Sequence, residues 1–129
     1  MIRKKKKINK IHNIIIYLVQ CSLCKKLYSG RTVNTLRTRI GQHRTSFYAL
    51  LNGKPVDLTD DEHSLGVHLY TEHGLRHCSD FNKHYKICII DNASPKRFEL
   101  KEHKYIHLLK TLRPLGINTV NPFGLNLLH

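Results

Sequence analysis

Two short stretches of the chain carry side chains that bind metal ions. Cys21 and Cys24 stand in Cys21-Ser22-Leu23-Cys24, and His68 and His73 bracket His68-Leu69-Tyr70-Thr71-Glu72-His73. Cys-x2-Cys in a tight turn offers two thiolates to one ion, and two imidazoles complete the tetrahedral set of a structural zinc site. Protein would then fill all four positions and leave none for a reacting water. Forty-three residues lie between Cys24 and His68, against about 12 between the pairs of a small zinc finger, so the set would be a long-range clip. On a regular helix His73 lies about 140° round from His68. The two converge only if the helix distorts or ends near Thr71, which Gly74 favours. Unliganded core cysteines and surface histidines are the plainer alternative.

A second group of residues could handle charge and protons. Glu102 falls on the apolar stripe of a helix, where a carboxylate is costly unless it is paired or holds a cation. Pairing with Lys101, Lys104 or Arg39, or metal coordination, would each meet that cost. Arg39 and His43 are four residues apart and project from one helix face, either as a site or as a solvated basic face. Tyr17 and Tyr28 flank the cysteine turn, and without their surroundings read equally well as sheet-packing residues.

These side chains need elements to hold them. Ile14 to Val19 is a β-branched apolar run suited to a buried strand, and Lys26 to Gly30 reads as its hairpin partner across the turn Cys21 to Lys25. Gly30 would let the chain turn or another group approach closely. Asn34 or Thr35 caps a helix to about Leu51, with Leu36, Ile40, His43, Phe47 and Leu51 on one stripe. An acidic loop, Asp57 to Glu62, follows. A shorter helix from Leu65 to Glu72 stops at Gly74. Tyr85 to Ile90 is a third strand. Ser94-Pro95 opens a last helix to about Leu112, with Phe98, Tyr105, Leu109 and Leu112 on its stripe. The order predicted is β-β-α-α-β-α, an α+β fold with a small three-stranded sheet flanked by helices.

The 129 residues suffice for one folded unit, and 40% hydrophobic content excludes a disordered chain. Twenty-two Lys and Arg against nine Asp and Glu give a net charge of +13, which favours a polyanionic partner through counterion release. No stretch approaches the roughly 20 apolar residues of a membrane span, so no membrane partner is expected. The basic run Arg3 to Lys7 followed by Ile14 to Val19 lacks the cleavage site of a secretory leader. Residues 1–13 read as a basic, disordered arm, 14–120 as the folded domain and 121–129 as a tail. The arm suits phosphate contact or nuclear import, so a nuclear, intracellular protein is expected. Cys21, Cys24, Cys78 and Cys88 then read as thiols or metal ligands and not as disulfides.

Read in order, residues 15 to 118 resemble the GIY-YIG endonuclease domain, in the version with an embedded Cys2His2 zinc motif carried by Penelope-like retroelements. Ile15 to Gln20 leads straight into the Cys21/Cys24 turn, as the family's first motif does. Tyr28-Ser29-Gly30-Arg31-Thr32 matches its second motif, and Leu36 to His43 its helix with Arg and His. His68 and His73 match its zinc histidines. Glu102-His103-Lys104-Tyr105-Ile106 matches the catalytic-glutamate segment, followed by Leu109, Thr111, Pro114, Gly116, Ile117 and Asn118. The first motif's glycine is Ile15 here and the second motif's isoleucine is Ser29; neither position supplies a catalytic side chain.

The resemblance implies a metal-dependent DNA endonuclease that nicks by phosphodiester hydrolysis. Glu102 would hold one Mg²⁺ or Mn²⁺, Arg39 would stabilise charge on the phosphoryl oxygens, and Tyr17 would serve as general base. Tyr28 would orient water or phosphate, His43 would shuttle protons, and Gly30 and Asn118 would support the site. The implied zinc is structural, and a reverse transcriptase in a longer element-encoded protein is the implied companion. The four catalytic groups should line one concave, positive groove. A zinc-stabilised DNA-binding module that no longer cuts is the alternative; an RNA-binding protein lacks the aromatic stacking motif.

Overall fold

The computed structural model describes residues 13–119; the expected arm, Asn13 apart, and the expected tail lie outside them. Three strands, β1 (Ile14–Cys21), β2 (Leu27–Thr32) and β3 (Tyr85–Ala93), form an antiparallel sheet in the order β2-β1-β3. The central position of β1 accounts for its unbroken apolar run. It is flanked by a strand on each edge, with Tyr17, Val19 and Cys21 buried on one face and Ile14 and Ile16 on the other, where Leu18 and Gln20 are half-buried. Ile15, at the family's glycine position, stays in register with Thr32 and Asn92, and a bulge follows between Ile16 and Tyr17.

Helix α1 (Leu36–Leu51) begins where expected: Thr35 caps it, its hydroxyl accepting from Thr38 N at 3.2 Å. Its stripe meets the Tyr17 face of the sheet, where Tyr17, Val19, Tyr28, Ile40, Phe47, Leu65, Leu69, Phe81 and Ile117 make the core. A 3-10 turn (Asp61–His63) leads into α2 (Ser64–Val67), which continues as a π-helical turn, His68–Glu72. The two helices cross closely because Gly66 has no Cβ; one there would press on the Phe47 backbone nitrogen. Gly74, at φ +63°, ends the turn as anticipated.

Three expectations about the elements need correction. A short helix, α3 (Asp80–His84), precedes β3 and was not foreseen, so the order is β-β-α-α-α-β-α. Its polar residues Asp80, Asn82 and Lys83 leave Phe81 as its single buried anchor, too little for a visible period. Helix α4 spans Phe98–Leu108, shorter at both ends than the 94–112 expected. At its start the Ser94 carbonyl accepts from both Arg97 N and Phe98 N in a turn, and at its end Lys110 turns left-handed at φ 54°. The buried residues of α4 are Glu102 and Ile106, while Leu109 is half-buried and Tyr105 turns its hydroxyl to Asp91 at 2.8 Å.

Candidate metal centre and groove

At the end of β1 the chain reverses through the Cys21 turn, closed by Lys25 N donating to Cys21 O at 2.8 Å, with Lys25 at φ 68°. The turn faces the π-helical segment. A π turn bonds i to i+5, a wider turn that brings residues five apart closer round the axis than an α-helix does. That distortion brings His73 over His68, with ring centroids 4.8 Å apart. The metal-binding atoms of Cys21, Cys24, His68 and His73 all lie within 4.8 Å of one another.

The spacing within this group suits one ion. A tetrahedron with bonds of about 2.3 Å to sulfur and 2.0–2.1 Å to nitrogen has N···N edges of about 3.3 Å and N···S edges of about 3.5 Å. Here His68 Nε2 and His73 Nε2 are 3.2 Å apart, Cys24 Sγ and His68 Nε2 3.3 Å, and Cys21 Sγ and His73 Nε2 3.6 Å. The nitrogen–nitrogen contact is a hydrogen bond in one imidazole tautomer, whereas a single cation would serve all four atoms at once. Burial pushes the Cys21 thiol up and the His68 imidazole down, so both resist protonic charge separation in the absence of an ion. Glu72 Oε2 lies 3.4 Å from His68 Nδ1, without a hydrogen bond to it, and Glu72 is itself paired with Lys26 at 3.3 Å. Cys78 and Cys88 are exposed and take no part.

The second group gathers around the outer edge of β2. A groove of about 490 Å³ is lined by Tyr28, Gly30, Arg31, Arg39 and Glu102, and closed on its far wall by Asp60, Asp61 and Glu62. Tyr17, expected in its lining, lies beneath it, fully buried. Its ring crosses Gly30, its partner in the ladder, and a Cβ on Gly30 would overlap Tyr17 Cζ and Oη. The bare backbone at Gly30 therefore exists for a side chain's approach, the closer-approach option of the two anticipated.

Tyr17 Oη is 2.5 Å from His43 Nε2 and 3.3 Å from Arg39 Nε. His43 Nδ1 lies 3.1 Å from the Glu62 carbonyl, an acceptor only, so Nδ1 bears the proton and Nε2 accepts from the tyrosine. Burial lowers His43 to about 4, and burial also pushes Tyr17 up to about 12 against the opposing pull of Arg39. Tyr28 is buried and pushed well up by the same desolvation, with its ring 5.3 Å from that of His43.

Glu102 is 2% exposed. Its partner is none of those anticipated: Arg31 Nη1 meets Glu102 Oε1 at 2.8 Å, while Lys101 pairs with Asp91 at 3.3 Å. The register explains this. Arg31 pairs with Ile16 and points to the face opposite Tyr17, where α4 packs. Glu102 thus belongs to the face opposite Tyr17 and Tyr28, a placement that counts against the resemblance, although it lines the same groove at the β2 edge. Desolvation raises its carboxyl, partly offset by Arg31.

The groove is not the positive surface expected. Its two arginines face Asp60, Asp61, Glu62 and Glu102. The loop that carries the first three folds inward because Asn118 ties it down: Asn118 Nδ2 donates to Asp61 Oδ2 at 2.8 Å and to Ser29 O at 3.0 Å, and its Oδ1 accepts from Ser29 N at 2.8 Å. Asn118 thereby serves as a one-residue strand beside β2. Glu62 pairs with Arg39 at 3.3 Å. Arg31, Asp61 and Glu62 were missed as groove residues; the run of acids in 57–62 was the only visible signal, and nothing in it pointed to this place.

No family model matches the chain, and neither a curated protein nor a solved structure matches it. Among the described residues no helix is long and apolar enough to cross a membrane.

Proposed function

We propose that this chain is a metal-dependent DNA endonuclease that hydrolyses phosphodiester bonds, of the GIY-YIG type carried by Penelope-like retroelements. One observation carries the reading: Tyr28, Arg39 and Glu102, drawn from a strand and two helices, line one groove, and Arg39 bonds the Tyr17 hydroxyl that meets His43. A packing role for the tyrosines does not require a neutral histidine, an arginine and a buried carboxylate to meet there.

Glu102, with the acidic wall beside it, is the residue set for Mg²⁺ or Mn²⁺. Such an ion, when bound, polarises a phosphoryl oxygen and stabilises the leaving oxygen. Arg39 holds its guanidinium at the groove and on Tyr17 at once, so it can meet charge developing on the phosphate. Tyr17 lies beneath the groove and would serve as general base through Arg39 and His43, which it bonds, its own proton passing to His43 Nε2 as it accepts one. Burial raises Tyr17 and lowers His43, so the resting pair is a neutral tyrosine on a neutral imidazole. Tyr28 positions the water or phosphate from the groove wall.

Cys21, Cys24, His68 and His73 hold a structural zinc in this reading, which pins the β1–β2 hairpin bearing both tyrosines. The net charge of +13 supplies DNA affinity. Purified protein should nick supercoiled plasmid only with Mg²⁺ or Mn²⁺, and Glu102→Ala should abolish nicking while DNA binding by gel shift is kept. A Glu102→Ala protein that nicks at the wild-type rate removes the reading.

A further inference from the structure

The geometry points to Arg31 as the positioning residue that aims one oxygen of Glu102 into the groove for a divalent cation. The inference rests on the metal-dependent reading above and adds a residue that it does not require.

Arg31 is held at two places. Its Nη1 sits 2.8 Å from Glu102 Oε1, and its guanidinium carbon lies 5.3 Å from the centre of the Phe98 ring, one helical turn before Glu102 on α4. Phe98 and Arg31 both line the groove. The other carboxylate oxygen, Oε2, takes no hydrogen bond from the described residues and is not among the atoms sealed from solvent. A carboxylate with one oxygen clamped by a cation and the other unclaimed has a single outward direction. A hard divalent ion needs that arrangement, because an unfixed glutamate loses rotamer freedom on binding. The same clamp opposes the desolvation that raises this 2%-exposed carboxyl.

The alternative is a competitor: Arg31 occupies the carboxylate and must leave before an ion binds. The two ideas have opposite signs. The test is Mn²⁺ binding by water-proton relaxation, without DNA, on zinc-loaded wild type, Arg31→Ala, Arg31→Lys and Glu102→Gln, with the thermal midpoint of each. Wild type should bind one Mn²⁺ that Glu102→Gln does not. Arg31→Ala should weaken that site about 10-fold or more, the usual loss when an outer partner of a ligand is removed, and Arg31→Lys should restore part of it. Affinity that is unchanged or tighter in Arg31→Ala overturns the assignment while leaving the metal-dependent reading intact. Wild type without a Glu102-dependent site overturns both. Should Arg31→Ala fail to fold, Arg31→Lys decides alone: affinity equal to wild type overturns the proposal.

Discussion

The Tyr17 hydroxyl donates to His43 Nε2 at 2.5 Å, and the direction of that bond is set from the far side of the ring, where Nδ1 meets the Glu62 carbonyl at 3.1 Å. A tyrosine thus faces a neutral base inside the protein, with Arg39 Nε at 3.3 Å to temper charge on the oxygen. The acidic loop, which the sequence leaves without a task, fixes the tautomer.

That bond has a signature in acid. With His43 lowered to about 4, the native state stays neutral at that ring while the unfolded chain gains a proton below about 6.5. A depressed pKa contributes stability above the unfolded value and loses it as pH falls towards the folded one. At pH 5.5 the loss relative to pH 7.5 is about 1.4 kcal/mol from this group alone. His43→Gln should be less stable at pH 7.5 but lose less than wild type between the two pH values, by denaturant melts. An NMR titration placing His43 near 6.5 contradicts the buried, accepting ring.

Gly30→Ala should destabilise. The added methyl overlaps the Tyr17 ring, and overpacking of this kind costs about 1–3 kcal/mol. Because the ring that must move carries the hydroxyl bound to His43, cleavage should fall with it. A chemical melt of the variant that superimposes on wild type contradicts the close approach.

Removing one ligand should empty the clip. Cys21→Ser should lower bound zinc from about one per chain towards none, reduce the thermal midpoint, and reduce cleavage through the hairpin that holds Tyr17 and Tyr28. Chelation should lower the wild-type midpoint as well. Elemental analysis that finds no zinc, together with a midpoint unmoved by chelator, removes the clip.

Much of this arrangement was legible because it is local or periodic. The β1 run, the Thr35 cap, the α1 stripe from Leu36 to Leu51 and the Gly74 stop are each written within a few residues. The need for a distorted helix between His68 and His73 followed from spacing alone, and the π turn meets it. What stayed hidden depends on tertiary contacts. Glu102 could be seen to need a partner, but the choice of Arg31 over Lys101 follows from which face of β2 meets α4. The inward fold of Asp61 depends on Asn118, 57 residues away. Helix α3 and the shortened α4 reflect single anchors and a left-handed Lys110, which leave no period to read.

Arg39→Ala should separate binding from chemistry. Its guanidinium is one cation among 22 basic side chains, so DNA affinity should change little, whereas loss of one preorganised donor to transition-state charge costs about 10²–10³-fold in rate. Single-turnover cleavage with saturating protein measures this. An affinity loss that accounts for the whole defect contradicts a transition-state role.

The most direct measurement is nicking of supercoiled plasmid by the zinc-loaded wild-type chain and by Glu102→Gln, each with Mg²⁺ and with EDTA. A Glu102-centred, metal-dependent nuclease gives open-circle product from wild type with Mg²⁺ and background in the other three lanes. Product from Glu102→Gln at the wild-type rate, or no product from folded, DNA-bound wild type with either Mg²⁺ or Mn²⁺, contradicts it.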